Sequence, residues 1–394
     1  MTDPVHNCET CFMRAECGGL AKVGESASML GCFEPCAGCV DGSRCTFTCP
    51  SRRDFIRRVS AAGMLLPTAH PRFPKFEASA LPRYLTVIQG GVYFERSVKL
   101  SFAALNLAEV FHGDKAQGIP FGRRVLTRES VRKEWGLASD SKILLSGVSK
   151  DQTLECLWSN HQSVDLAAQV AALGVAGVTA PNFTFWKEKP RFHNMWNRRR
   201  MLKMCERLAA AGVPVIPHIN STHSADWDFW FDYLREHPEL VAVCLEFRTG
   251  NRRFEVRDRK IAALYDLRER LGREIHPIIT GNIEAASLVG QYFLFYTAVD
   301  STPVIKTIKR QRMVVTDDKI AMWRTAPVAA RSCMADAFEA NYRDHAAGVD
   351  RRLTAGPSRK KTLESKPVDS PIEELSEAST RLREDELPLF LPST

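Results

Sequence analysis

Apolar and polar positions alternate with two different periods over the middle of the chain, from about residue 142 to residue 300. Short apolar runs of strand length are followed by stretches in which apolar residues recur at helical spacing. Such alternation indicates a parallel sheet with helical crossovers. The predicted strands are 142–148, 177–183, 213–220, 240–247, 275–282 and 291–299, and the predicted helices are 163–173, 197–211, 225–237, 259–271 and 283–290.

The fold class that this pattern predicts is α/β. A (β/α) barrel, complete or partial, is the leading prediction, because six strands alternate with five helices over about 160 residues. An open doubly wound sheet is the alternative, but no GxGxxG fingerprint of a dinucleotide-binding fold is present.

The pattern changes on both sides of this region and predicts four parts. Residues 1–50 form a cysteine-rich metal module with too few apolar residues for a core, so metal must supply its folding energy. Residues 51–142 form a mixed α+β connecting region. Residues 143–345 form the barrel-like domain. Residues 346–394 are polar and contain Gly and Pro, which predicts a flexible, disordered tail that ends in a short interaction motif.

Eight of the 12 cysteines lie in the first 50 residues and form two half-repeats. Eight thiolates make two four-ligand sites, which suit two iron–sulfur clusters or two zinc ions. A cysteine run closed by Cys-Pro is typical of ferredoxins, so iron–sulfur is the prediction and zinc the alternative. The first half-repeat is Cys8-x2-Cys11-x5-Cys17 followed by Cys32, and the second is Cys36-x2-Cys39-x5-Cys45-x3-Cys49-Pro50.

The spacing C-x2-C-x5-C-x3-C resembles that of the SPASM domain, which holds auxiliary iron–sulfur clusters in radical-SAM enzymes. Cys32, Cys36 and Cys39 also match the C-x3-C-x2-C triplet of the cluster that cleaves S-adenosylmethionine. That triplet normally follows the first barrel strand, whereas no strand is predicted before it here. The resemblance therefore implies an auxiliary metal module, and a radical-SAM-related enzyme remains an alternative function.

Polar residues follow several predicted strands, and in parallel barrels chemistry takes place at those carboxyl ends. We predict that Asn182, His218, Asn220 and Glu246 are catalytic. His218 is expected at the rim because Pro217 precedes it at the end of a strand. Glu246 ends an otherwise apolar strand, where a carboxylate is unfavourable unless it is paired or functional. A structural ion pair with a neighbouring arginine is the alternative for Glu246.

The net charge is +8, and much of the surplus lies in the middle of the chain. Residues 185–200 interleave aromatic and basic side chains, a composition that suits stacked bases and phosphates. A second basic segment follows at 307–312. The alternative is a loop packed on the barrel, followed by a helix whose arginine face is solvated. The predicted nucleic-acid-binding residues are Trp186, Lys187, Lys189, Arg191, Arg198, Arg199 and Arg200.

Two further resemblances concern the barrel region. The motifs P-N-F-x-F and G-V-P-V-I-P within residues 177–217 resemble an uncharacterised domain family of bacteria and phages, over about 143–282. This implies a phage, plasmid or mobile-element setting and no particular catalytic role. The layout of a barrel with a cysteine metal site is similar to that of tRNA-guanine transglycosylases. Their cysteines follow the barrel, however, and their aspartate motifs are not evident here.

The end of the chain resembles the short motif with which bacterial proteins bind the DNA polymerase sliding clamp. Leu387, Leu389 and Phe390 match it, although Glu386 stands where Gln is usual. The resemblance implies the clamp as a partner, and a tail packed on its own domain is the alternative. The N-terminus lacks the basic start and apolar core of a signal peptide, and no apolar run reaches about 20 residues. We therefore expect a cytoplasmic protein without membrane contact.

Together these features predict a barrel metalloprotein that acts on or with nucleic acid. One alternative is a non-enzymatic replication or mobile-element accessory protein, tethered to the sliding clamp by its tail. The other is the radical-SAM-related enzyme.

Overall fold

A computed structural model of the chain describes residues 72–112, 122, 126–185, 191–222, 224–247, 254–315, 321–325 and 333–354. Parallel strands and helices alternate along it. The strands are β1 Tyr84–Ile88, β2 Phe102–Asn106, β3 Lys142–Ser146, β4 Gly177–Thr179, β5 Val215–Ile216, β6 Ala242–Glu246, β7 His276–Thr280 and β8 Thr297–Asp300, followed by an antiparallel hairpin of β9 Gln311–Val315 and β10 Ala321–Thr325. The helices are α1 Leu107–Val110, α2 Arg128–Glu134, α3 Asp151–Asn160, α4 Leu166–Ala172, α5 Arg191–Ala210, α6 Ser224–Glu236, α7 Phe254–Leu271, α8 Ile283–Val289, α9 Thr302–Ile308 and α10 Met334–Thr354.

Strands β1 to β8 form one sheet in the order β5-β4-β3-β2-β1-β8-β7-β6, and the neighbouring strands are parallel. The two outer strands of this order meet just beyond β5. There the N–H of Ile219 donates to the carbonyl of Cys244 at 2.8 Å, and the N–H of Cys244 donates to the carbonyl of Pro217 at 2.8 Å. The sheet thus nearly closes on itself. The predicted (β/α) barrel is confirmed over the open-sheet alternative.

The barrel begins earlier than the sequence pattern indicates. Strands β1 and β2 lie before residue 143, in the stretch predicted as a connecting region, yet they stand between β8 and β3 in the sheet. Helix α1 after β2 has only four residues, so the strand–helix alternation is weak there. Two of the eight barrel strands therefore come from the predicted connecting region.

Residues 346–354 were predicted to belong to the flexible tail, but they continue helix α10. This helix packs on the barrel through Phe338 and Val349, which are buried. Its Asn341 side chain donates to the Thr307 hydroxyl at 3.0 Å and to the Gln311 carbonyl at 2.8 Å. These contacts hold helix α10 against α9 and β9, and its polar sequence does not predict them.

Side chains alternate between the inside of the barrel and the surrounding helices. The inward set forms its own apolar cluster, which the segment before β1 closes at the amino end with Phe76 and Leu81. Other members of this cluster are Leu85, Ala104, Leu144, Ile216, Cys244, Ile278 and Val299. The outward set packs with the helices in a second, larger cluster. Residues two positions beyond each inward residue therefore face the barrel axis at the carboxyl end.

Candidate active site at the carboxyl end of the barrel

The inner face of the barrel changes from apolar to polar towards the carboxyl ends of its strands. Positions two residues beyond the inward-facing apolar residues also face the barrel axis. On six neighbouring strands these positions are polar. This end of a parallel barrel is where loops converge and where chemistry is usually found. The polar inward positions are Asn106, Ser146, Thr179, His218, Glu246 and Thr280.

Three of the four predicted catalytic residues join in one amide–carboxylate network, made of Asn220, Asn182 and Glu246. The Asn220 side chain donates to Asn182 Oδ1 at 2.6 Å, and the Asn182 side chain donates to a carboxylate oxygen of Glu246. The Asn220 amide also donates to the backbone carbonyl of Phe183 at 3.2 Å. Residues from three strand ends, 64 positions apart at most, thus meet at one place.

The backbone around Asn182 is held by a close approach between the ends of β3 and β4. The N–H of Asn182 donates to the carbonyl of Gly147 at 2.9 Å, and the N–H of Gly147 donates to the Thr179 hydroxyl at 2.9 Å. A Cβ atom at position 147 would lie 2.1 Å from the carbonyl oxygen of Ala180, so only glycine fits there. This packing fixes the backbone position from which the Asn182 side chain extends.

Asn220 is fixed from the other side by helix α6. The indole N–H of Trp230, which is fully buried, donates to the backbone carbonyl of Asn220 at 3.1 Å. Neither Trp230 nor Gly147 was predicted to belong to the site. A buried indole N–H needs a hydrogen-bond acceptor, but the sequence does not predict which acceptor it contacts.

His218 is buried inside the barrel and does not lie at the rim, where the sequence predicts it. Its side chain is 0% exposed, and neither ring nitrogen has a hydrogen-bond partner among the described residues. Burial lowers the pKa of His218 to about 3, so the imidazole is neutral at physiological pH. The expectation of a rim residue is corrected, because position 218 still pairs with β6 inside the barrel wall.

The arginines predicted to bind nucleic acid do not form a solvent-facing row. Arg198 and Arg200 are only 3% and 2% exposed. Arg198 pairs with Asp226 at 3.1 Å, and Arg200 contacts both carboxylate oxygens of Glu155 at 2.6 and 2.8 Å. Arg199 lies 3.6 Å from Glu206. Arg198 joins α5 to α6 and Arg200 joins α5 to α3, whereas Arg199 and Glu206 both belong to α5. We therefore correct the expected phosphate-binding role of Arg198 and Arg200, whose guanidinium groups are buried in these ion pairs.

Aromatic rings complete the surroundings of the two buried guanidinium groups. Arg198 lies 3.7 Å from the ring centre of Phe229, and Arg200 lies 4.0 Å from that of Phe183. Phe183 is the residue whose carbonyl receives the Asn220 amide. Arg200 thus stabilises the loop after β4 by packing against the Phe183 ring.

The remaining predicted site residues lie outside the described part of the chain. These are the eight cysteines, Trp186, Lys187, Lys189 and the clamp-binding residues Leu387, Leu389 and Phe390. Arg191 is the first residue of α5. Within the described residues, no group of three or more His, Cys, Asp and Glu side chains could hold a metal ion. In the same residues, no helix has both the length and the apolar character to cross a membrane.

A scan against protein-family models matches no family, and a comparison with curated proteins gives no match.

Proposed function

We propose that this protein is a (β/α)-barrel enzyme whose reacting group is the carboxylate of Glu246. The amide–carboxylate network at the carboxyl end of the strands carries this proposal. The Asn182 amide, which follows β4, donates to the Glu246 carboxylate at the end of β6, and the Asn220 amide orients Asn182.

In this proposal Glu246 takes up or delivers a proton at the substrate. A carboxylate does so efficiently when it is held within hydrogen-bonding reach of the reacting atom. Asn182 holds one carboxylate oxygen by donating to it, and Asn220 holds Asn182. His218 remains neutral beneath this layer and exchanges no proton near neutral pH.

We further propose that the enzyme acts on or with nucleic acid and that its cysteine module binds iron–sulfur clusters. The described surface that supports a polyanion partner is the turn after α9 and the start of β9, where Lys309, Arg310 and Arg312 are exposed. Basic side chains that face solvent attract phosphates, whereas buried ones do not. The paired spacing of the eight cysteines supports the metal module.

Mass spectrometry of a nucleoside and nucleic-acid mixture tests the enzymatic proposal without a named substrate. Purified protein is incubated with a mixture of nucleosides and digested nucleic acid, and products are compared with those of Glu246→Gln. We expect a product that wild type forms and that the variant forms at least about 100-fold more slowly, as for loss of a general base. Equal product formation by both proteins would exclude Glu246 as the reacting group.

Salt-dependent binding tests the nucleic-acid proposal separately. Replacement of Lys309, Arg310 and Arg312 by alanine should weaken binding of a labelled oligonucleotide and reduce the slope of log affinity against log salt. The buried Arg198 and Arg200 are unsuitable for this test because their removal would disturb the fold. Unchanged affinity and slope would show that this turn does not bind nucleic acid.

A further inference from the structure

The hairpin of β9 and β10 has an inner face and an outer face. The backbone carbonyl of Gln311 accepts a hydrogen bond from Asn341 of α10 at 2.8 Å, and the Gln311 side-chain oxygen is buried. The next residue, Arg312, is exposed. Because successive residues of a strand belong to opposite faces, Gln311 lies on the inner face of the hairpin and Arg312 on the outer face.

Two arginines stand opposite each other in this hairpin. The antiparallel register pairs Arg312 of β9 directly with Arg324 of β10, so the two residues share the outer face. Directly opposed residues of such a ladder lie about 5 Å apart, and like charges at these positions destabilise the pairing. An anion bound between the two strands removes this repulsion, so the register favours an anion site.

The turn before β9 adds two basic residues to the same part of the molecule. Lys309 and Arg310 are exposed, and neither they nor Arg312 form a side-chain hydrogen bond or an ion pair within the described part of the chain. Arg310 has a φ of 52°, in the left-handed region where glycine is favoured at the end of a helix. An arginine at a position that suits glycine indicates a role for its side chain.

The sequence places acidic residues outside this region. No Asp or Glu lies between Asp300 and Asp317. Asp317 follows β9, whose last residue, Val315, is three residues beyond Arg312. Three residues of a strand span about 10 Å, which is about the Debye length at 0.1 M salt. The start of β9 therefore has a basic surface that the residues along its own strand do not neutralise.

We infer that Arg312 and Arg324 hold one phosphate group of a nucleic-acid backbone between the two strands of the hairpin, and that Lys309 and Arg310 contact the phosphates beside it. Arginine suits this role because its planar guanidinium donates two parallel hydrogen bonds to phosphate oxygens. This inference rests on the proposed function, since it names the element that meets the nucleic acid. It adds β10 to a surface that would otherwise consist of the turn and the start of β9.

A double-mutant cycle tests whether the two arginines share one phosphate. Full-length wild type, Arg312→Gln, Arg324→Gln and the double variant are titrated into a labelled oligonucleotide, with Arg259→Gln on the exposed surface of α7 as the matched control. We expect each single substitution to weaken binding at least about fivefold, and the double variant to lose less than the product of the two factors. Independent, multiplying losses, or equal affinity of Arg324→Gln and Arg259→Gln, would overturn the inference.

Two ligand controls separate a nucleic-acid backbone from free phosphate. An oligonucleotide of the same sequence with uncharged methylphosphonate linkages should bind equally to wild type and Arg324→Gln. Inorganic phosphate, exchanged for chloride at constant ionic strength, should compete weakly because it cannot also contact Lys309 and Arg310. Competition by inorganic phosphate that equals, per phosphate, that of unlabelled oligonucleotide would overturn the assignment to a backbone.

Conservative variants keep the test valid if a glutamine variant does not fold. Arg312→Lys and Arg324→Lys retain the charge and lose the planar fork, so each should keep the slope of log affinity against log salt and still weaken binding. Wild-type affinity in both lysine variants would overturn the shared arginine site.

This inference and the nucleic-acid proposal fail in different ways. If alanine at Lys309, Arg310 and Arg312 weakens oligonucleotide binding but Arg324→Gln does not, the proposed function stands and the role of β10 is wrong. If wild type does not bind the oligonucleotide, the nucleic-acid proposal is wrong, and thermal unfolding then tests the arginine pair alone. Inorganic phosphate at constant ionic strength should raise the unfolding temperature of wild type more than that of Arg324→Gln. Equal shifts in both proteins would exclude a phosphate between the two strands.

Discussion

Gly147 and Ala180 approach so closely that a Cβ atom at position 147 would lie 2.1 Å from the Ala180 carbonyl oxygen. This contact joins the carboxyl ends of β3 and β4. Immediately beyond it, the Gly147 carbonyl receives the N–H of Asn182 at 2.9 Å. The position of the Asn182 amide, and through it the orientation of Glu246, therefore depends on a glycine in the neighbouring strand end.

Substitution of this glycine should damage both the fold and the site. Gly147→Ala forces the backbones of β3 and β4 apart, and we expect a loss of about 1–3 kcal/mol or more in the free energy of unfolding. Denaturant unfolding measures it. Gly90→Ala is the control, because an added Cβ there would meet atoms no closer than 3.6 Å. Equal stability of the two variants would refute the close approach.

The ion pair between Arg200 and Glu155 should contribute to folding and not to partner binding. Arg200→Met leaves a partly buried carboxylate without its bidentate partner and should cost about 3–5 kcal/mol. Arg235→Met provides a matched control, because Arg235 and Asp232 form an exposed pair with 58% and 56% of the side chains accessible. That change should stay within about 1 kcal/mol. A loss of similar size for both variants would mean that Arg200 is not buried in solution.

His218 should reduce the stability of the protein. Its two ring nitrogens lack partners among the described residues, and an unsatisfied buried polar group costs about 1–3 kcal/mol. His218→Leu should therefore raise the free energy of unfolding at pH 7. His276→Leu should give no such gain, because the His276 ring contacts the Thr297 hydroxyl at 2.9 Å. A larger loss for His218→Leu than for His276→Leu would contradict the assignment.

The same two histidines predict how stability depends on pH. Burial lowers the pKa of His218 to about 3 and that of His276 to about 4, from 6.5 in each case. As the pH falls below 6.5, the unfolded chain binds protons that the folded chain does not, so the free energy of unfolding decreases towards pH 3. His218→Leu should show a shallower decrease between pH 6 and 4, measured by denaturant unfolding at several pH values. An identical pH dependence of the free energy of unfolding in wild type and His218→Leu would show that His218 is not buried as a neutral ring.

Much of the barrel was predictable because β3 to β7 are apolar runs of strand length, separated by helices with regular apolar spacing. Strands β1 and β2 were missed as barrel strands, because α1 is too short to show helical periodicity. The tertiary contacts of α10, such as those of Asn341, are not encoded in any local pattern.

The site was predictable in part for a related reason. The sequence predicted that Asn182, Asn220 and Glu246 share one end of the barrel, because polar residues that end apolar strands lie there, and the structure brings the three together. The depth of His218 along the barrel axis depends on its pairing with Cys244, which the sequence does not reveal. Arg198 and Arg200 were misassigned because their partners, Asp226 and Glu155, come from other helices.

Metal content tests the cysteine module. Protein purified without oxygen should be brown and contain iron and acid-labile sulfide in about equal amounts, as for cysteine-ligated clusters. Cys39→Ser and Cys49→Ser should each lower the iron content. Two zinc ions per chain without iron or sulfide would replace the iron–sulfur proposal with the structural-zinc alternative.

We propose that Glu246, held by Asn182, is the reacting group of a barrel enzyme. The most direct test measures product formation by wild type, Glu246→Gln and Glu274→Gln on the same nucleoside and nucleic-acid mixture, with thermal unfolding in parallel. Glu274 is the control because it precedes β7, at the opposite end of the barrel. We predict that Glu246→Gln unfolds as a single cooperative unit and loses at least about 100-fold in rate, whereas Glu274→Gln retains the wild-type rate. Equal rates in all three proteins would contradict the claim.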